Sequence, residues 1–147
     1  MKKKKLLGER LLESGLIRER DLAQALQAQQ STGEQLGYVL VRLGYLGAED
    51  LLRLLCEDAG IEFSTLQGLD PEASVIQRFP EVLAREFVAL PLRVEDGQVV
   101  VALADPFDLE TIAALERFYG HTPNIVGAPR SRLKAHIDRA YQDPLLD

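Results

Sequence analysis

The chain has 147 residues and a mass of 16.4 kDa, enough for one compact core or two small sub-domains and too little for a large multi-domain machine. With 46% hydrophobic and 27% charged residues, the composition excludes wholesale disorder and fibrous repeats, and no window approaches the roughly 18 apolar residues of a membrane-spanning helix. A net charge of −6 and a pI near 5.0 argue against general nucleic-acid binding, which needs a basic face to release counterions from the phosphate backbone. Cys56 is the single cysteine, so neither an intrachain disulfide nor a multi-cysteine metal centre is available, and the cytosol is the default compartment. Lys2 to Lys5 resemble the start of a signal peptide, but the apolar stretch after them, Leu6-Leu7, breaks at once into Gly8, Glu9 and Arg10, so none is expected.

The first elements along the chain form an internal repeat. A shift of 29 positions lays Leu7, Gly8, Leu11, Gly15, Asp21, Leu22 and Leu26 on Leu36, Gly37, Leu40, Gly44, Asp50, Leu51 and Leu55, identical at every pair, with Leu12/Val41 and Ile17/Leu46 as conservative matches. Leu7, Leu11 and Leu12, and again Leu36, Val39, Leu40 and Leu43, follow helical spacing up to a glycine, Gly15 or Gly44, expected as a C-terminal cap. Segments 18–29 and 48–58 then carry leucines on helical spacing, with Glu19, Asp21, Glu49 and Asp50 in first turns where carboxylates suit the helix dipole. Each repeat is therefore helix, glycine turn, helix, and the polar stretch Gln30 to Glu34 joins the two.

From residue 61 the pattern changes. Ile61-Glu62-Phe63 is a short strand candidate, and Pro71 to Arg78 and Pro80 to Phe87 are short helices. Val88 to Val94 and Gln98 to Ala104 are strands joined by Glu95-Asp96-Gly97, whose Asp-Gly step signals a hairpin. Asp105-Pro106-Phe107-Asp108 opens a helix to about Tyr119, Ile125-Val126 is a further strand, and Pro129 to Tyr141 is the final helix. The expected architecture is α+β: residues 1–60 a tandem helical hairpin of four short helices, residues 61–147 a small α/β unit with about three strands and two to three helices.

Enzyme signatures are absent. No glycine loop ends in the Gly-Lys-Ser/Thr of a Walker motif, His121 and His136 lack metal-ligand spacing, and Gly8 and Gly15 follow no strand, which a dinucleotide fingerprint requires. Cys56 lies between Leu55 and Glu57 with no basic neighbour in sequence, which fits a packed thiol better than a nucleophile. No catalytic residue, metal site or cofactor is expected.

The repeat also carries a family resemblance. Leu7-Gly8, Leu11-Leu12, Gly15-Leu16-Ile17, Leu22, Leu26 and Gln29, then Leu36-Gly37, Leu40-Val41, Gly44-Tyr45-Leu46, Leu51, Leu55 and Asp58, resemble the MshEN-type N-terminal domain. That domain precedes the hexameric ATPases of type II secretion and type IV pilus assembly. Phe79-Pro80, Ala84-Arg85, Leu90-Pro91-Leu92, Val101 to Pro106, Asp108 and the closing helix to Tyr141 extend the resemblance over nearly the whole chain.

The resemblance implies one of two roles. Some members bind cyclic di-GMP through both repeats; others dock onto the cytoplasmic domain of an inner-membrane assembly protein. For the nucleotide, the implied contacts are Leu7, Gly8, Leu11, Leu12, Gly15 and Gln29 from the first repeat and Gln35, Leu36, Gly37, Leu40, Val41, Gly44 and Asp58 from the second, with Asp108 beside them. The family motif opens each repeat with Arg-Leu-Gly, whereas this chain has Leu6-Leu7-Gly8 and Gln35-Leu36-Gly37. The motif's closing Gln is kept as Gln29 and replaced by Asp58 in the second repeat. Lys4, Lys5, Arg10 and Arg42 are candidate substitutes for the lost charge, and Asp105 and Asp108 also suit turn and helix-cap positions. For docking, the last helix carries Arg130, Arg132, Lys134 and Arg139 in an otherwise acidic chain. With both motif arginines gone, the sequence favours a non-catalytic regulatory and docking domain of a secretion or pilus-assembly ATPase, and a cyclic di-GMP receptor is the alternative. The expected partners are that cytoplasmic domain and an ATPase ring further along a longer parent chain, with no nucleic acid and no direct membrane span; the expected location is cytoplasmic, at the inner membrane only through partners.

Overall fold

The computed structural model describes residues 6–142. The chain divides into two units, Met1–Leu54 and Leu55–Asp147. The first contains α1 (Leu7–Glu13), α2 (Glu19–Thr32), α3 (Leu36–Arg42) and the start of α4 (Ala48–Ala59). Gly15 and Gly44 do cap α1 and α3, at φ +78 and +82. In both repeats the glycine N–H donates three residues back (Gly15 to Leu12, Gly44 to Val41) and the next N–H five back (Leu16 to Leu11, Tyr45 to Leu40). This is the Schellman arrangement, which satisfies carbonyls the helix end would otherwise leave open. The core of this unit consists largely of repeat-equivalent pairs: Leu11 with Leu40, Ile17 with Leu46, Ala25 with Leu54, all buried. The fixed shift thus becomes structural equivalence at the core, whether the paired residues are identical, as Leu11 and Leu40 are, or differ, as Ala25 and Leu54 do.

The second unit is built on a mixed sheet in the order β1-β4-β3-β2, with β1 (Glu62–Phe63), β2 (Ala89–Glu95), β3 (Gln98–Leu103) and β4 (Asn124–Gly127). It also holds α5 (Ala73–Arg78), α6 (Glu81–Phe87), α7 (Leu109–Tyr119) and α8 (Arg130–Ala140). β2 and β3 are antiparallel, and β4 runs parallel to both β3 and β1. The described residues of this half hold four strands and four helices, against the expected count of about three strands and two to three helices; the added strand is residues 62–63, which do pair with β4. Asp96 and Gly97 both have positive φ, +52 and +79, between the paired Glu95 and Gln98, as a two-residue type I′ hairpin requires. β3 is buried continuously from Val99 to Leu103, the burial of a strand covered on both faces.

Three element boundaries differ from expectation. α2 continues through Gln30, Ser31 and Thr32, expected in the connection, until Gly33 ends it in the left-handed region at φ +72 with its N–H donating to the Gln29 carbonyl at 2.8 Å. Pro71 stays outside α5, because the Glu72 N–H donates to the Leu92 carbonyl on β2 at 2.8 Å; this bond also covers part of a sheet edge. Val88 is not in β2 but ends α6 in the left-handed region at φ +48. For a β-branched residue that costs of order 1–3 kcal/mol, offset by burial of its side chain in the core.

Burial pushes both Tyr119 and Tyr141 up to about 12, with a smaller contribution from Tyr141 on Tyr119 and from Glu81 on Tyr141. Both shifts are upward, so the folded state holds these protons more tightly than the unfolded chain. The associated stability is present below pH 10 and is lost as pH rises from 10 through 12. The melting temperature is expected to fall across that window, and Tyr141→Phe should flatten the decline; an unchanged alkaline slope in the variant would refute the assignment.

Candidate functional site

The candidate ligand residues of the repeat fall into three structural groups. Leu11 and Leu40 are 0% exposed, so they hold the unit together. Gly15 and Gly44 are exposed turn residues at positive φ, where a side chain would strain the helix end. Leu7, Leu12, Leu36 and Val41 are half-buried and pack on the edge of this core, keeping surface for contact.

Gly8 and Gly37 are buried for a reason the sequence did not reveal. A Cβ on Gly8 would lie 3.0 Å from Leu22 Cδ1 and 3.5 Å from Leu36 Cδ2; one on Gly37 would lie 3.0 Å from Leu51 Cδ2 and 3.4 Å from Leu7 Cδ2. Each glycine therefore receives the leucine of its own second helix and the first leucine of the other repeat. The exchange is reciprocal, Leu7 to Gly37 and Leu36 to Gly8, so the repeats are related by an approximate two-fold. Leu6 and Gln35, which replace the motif arginines, are both exposed and occupy equivalent positions just before α1 and α3. Gln29 is half-buried on α2.

Of the candidate charge substitutes, Arg42 donates to Glu34 Oε1 at 3.0 Å, and Lys4 and Lys5 lie outside the described residues. The acidic total is unevenly divided. Residues 1–54 hold nine lysines and arginines against seven acids, and residues 55–147 hold eight against sixteen. Most of the net negative charge therefore belongs to the second unit, and the small cationic surplus of the first rests on Lys2 to Lys5, ahead of the repeat.

Asp58 is exposed near the end of α4, in the second unit. Asp108 caps α7: its Oδ1 accepts from the Glu110 N–H at 3.2 Å and its Oδ2 from the Thr111 hydroxyl at 2.9 Å. Asp105 Oδ1 accepts from the Phe107 N–H. Cys56 is fully buried and burial raises its thiol, which disfavours a nucleophilic thiolate. Among the described residues no group of three acids, histidines or cysteines is placed to hold a metal ion, and no helix is long and apolar enough to cross a membrane.

The four cations of α8 do not share one face. At about 100° per residue, Arg130 and Lys134 lie on one flank, where Lys134 and Asp138 line a recess with Arg85. Arg132 and Arg139 lie on the opposite flank with His136, and His136 and Arg139 form the wall of a groove against α5. Arg85 itself joins α6 to α8, reaching Glu81 at 2.8 Å and Asp138 at 2.7 Å.

Residues 59–146 match the model of the MshEN domain. The chain belongs to the MshEN family. The repeat, which precedes the matched stretch, is covered by the solved structures. MshE with cyclic di-GMP superimposes at a TM-score of 0.78 with 33% identity, over 94% of this chain and 100% of that one. The N-terminal domain of XpsE gives 0.69 and 25% identity over 95% and 98%. In sequence, this MshEN domain is 39% identical over 118 residues to the type IV pilus assembly ATPase PilB of Thermus thermophilus, 77% of this chain and 13% of that protein. The chain spans only 13 to 24% of the curated relatives it matches, and corresponds to the N-terminal domain of pilus and secretion ATPases.

Proposed function

We propose that this MshEN domain is a non-catalytic regulatory domain that takes up cyclic di-GMP across its two repeats and passes the signal to an ATPase ring in a longer parent chain. The observation that carries this reading is the reciprocal seating of Leu7 on Gly37 and Leu36 on Gly8: an approximately two-fold receptor suits a two-fold ligand. Half-buried Leu7, Leu12, Leu36 and Val41 offer apolar cover for purine faces, and Gln29 an amide for a guanine edge. The likeness to MshE, solved with cyclic di-GMP, supports it.

The missing arginines set the expected strength. A charge-assisted hydrogen bond contributes about 1.5–3 kcal/mol, and 1.4 kcal/mol is a factor of about ten in affinity. Calorimetric titration should give saturable binding that tightens at least about tenfold in Leu6→Arg or Gln35→Arg, since both positions are exposed and accept the change without a folding cost. Gln29→Ala should weaken it. No heat up to about 100 μM ligand, in the wild type and in the doubly restored variant alike, would dispose of the reading.

A second reading, docking onto the cytoplasmic domain of an inner-membrane assembly protein, is favoured by α8. Among the described residues Arg130, Arg132, Lys134 and Arg139 have no acidic partner, although their unit carries a two-to-one excess of acids.

A further inference from the structure

We propose that the groove between α5 and α8 is the docking site for an acidic amphipathic helix of a partner protein. This rests on the docking reading and narrows it to one flank of α8 and one kind of occupant. The groove has a volume of about 430 Å³. Leu69, Ile76 and Ala140 give it an apolar floor, and His136 and Arg139 form the α8 wall, with Asp70 at the opposite side. Leu69, Ile76 and Ala140 are only partly buried although they pack against the core, so apolar surface is left to cover. Arg132 lies one turn before His136 and two turns before Arg139 on the same ridge, which sets two guanidinium groups along one margin of the apolar floor.

An apolar stripe bordered by cations is complementary to a helix with leucines on one face and carboxylates beside them. The surroundings select for a compact occupant. Sixteen acids against eight basic residues in this unit would repel an extended polyanion such as nucleic acid or an anionic membrane, whereas a short helix engages only the ridge. The opposite flank is unsuitable, because Lys134 there shares its recess with Asp138 and Arg85, whose charges already meet.

The test is fluorescence anisotropy of a labelled peptide of about 18 residues, five helical turns, with leucines on one face and glutamates elsewhere, titrated with the full chain. Saturable binding is expected, weakened at least about tenfold by Arg132→Glu/Arg139→Glu, and likewise by Ile76→Glu, and reduced by salt. Arg130→Glu/Lys134→Glu should bind as the wild type does, as should a Leu6→Arg variant that reports on the nucleotide site. Loss only in Arg130→Glu/Lys134→Glu would overturn the groove while leaving α8 docking intact; no saturable binding by any form would overturn both. A lysine-for-glutamate peptide that binds equally well, or binding of phosphatidylglycerol vesicles in its place, would overturn the acidic-helix assignment. Circular dichroism of each charge variant separates lost binding from lost folding.

Discussion

Replacing Phe79 by alanine is expected to lower unfolding stability by about 3–5 kcal/mol, the range for deleting a packed aromatic ring. Phe79 is 2% exposed. Its ring stacks on Tyr119 at 6.0 Å with planes 9° apart and meets Phe118 edge-on at 5.3 Å. The backbone at the same position accepts the Tyr141 hydroxyl at 2.9 Å, tying the end of α8 to the break between α5 and α6. Alanine keeps that carbonyl, so the loss measures the ring. Phe79→Leu restores most of the apolar volume and should cost less than half as much. Urea unfolding followed by circular dichroism checks both, and a loss below about 1 kcal/mol for the alanine variant would show that the aromatic cluster does not hold this unit together.

Gly127→Ala is expected to destabilise by about 1–3 kcal/mol, an overpacking effect, even though it adds only one methyl group. Gly127 lies in β4 between Phe63 of β1 and Leu103 of β3, and its carbonyl accepts from the Ser64 N–H at 2.9 Å. A Cβ there would come within 2.5 Å of Cys56 Sγ and 3.4 Å of Pro106 Cγ. Something has to shift, and the backbone is pinned on both sides. Cys56→Ala removes the sulfur and opens the space the new methyl needs. The double variant should therefore be more stable than the sum of the singles allows, with a coupling of at least about 1 kcal/mol. Strict additivity would mean that the glycine is required for another reason. This contact also gives Cys56 its place in the molecule: a buried thiol packed against a strand, as the lack of a basic neighbour in sequence suggests.

Much of the local structure was legible. The shift of 29 positions located all four helices of the repeat, because the caps at Gly15 and Gly44 are local hydrogen-bond motifs that depend only on nearby residues. The hairpin at Asp96-Gly97 and the helix opened by Asp108 were legible for the same reason. The end of α2 was placed three residues early, before its local Gly33 cap, and two other boundaries failed where the rest of the fold acted. Glu72 is held extended by Leu92 across the sheet, and Val88 takes a left-handed conformation that its own side chain disfavours, because α6 must turn abruptly into β2.

The candidate site divides along the same line. Sequence alone determined that two equivalent helical hairpins exist, that the motif arginines are replaced by Leu6 and Gln35, and that no familiar catalytic or metal motif is present, since these are properties of residue identity and spacing. Only the tertiary structure decided which leucines are core and which retain surface. It also showed why Gly8 and Gly37 are glycine, through the approach of leucines from the other repeat, and that the α8 cations stand on two opposite flanks. Packing decides these points because a hydrophobic stripe carries no record of what will cover it. The acidic total changed meaning for the same reason: a chain-wide charge says little about a ligand until the fold shows which unit carries it.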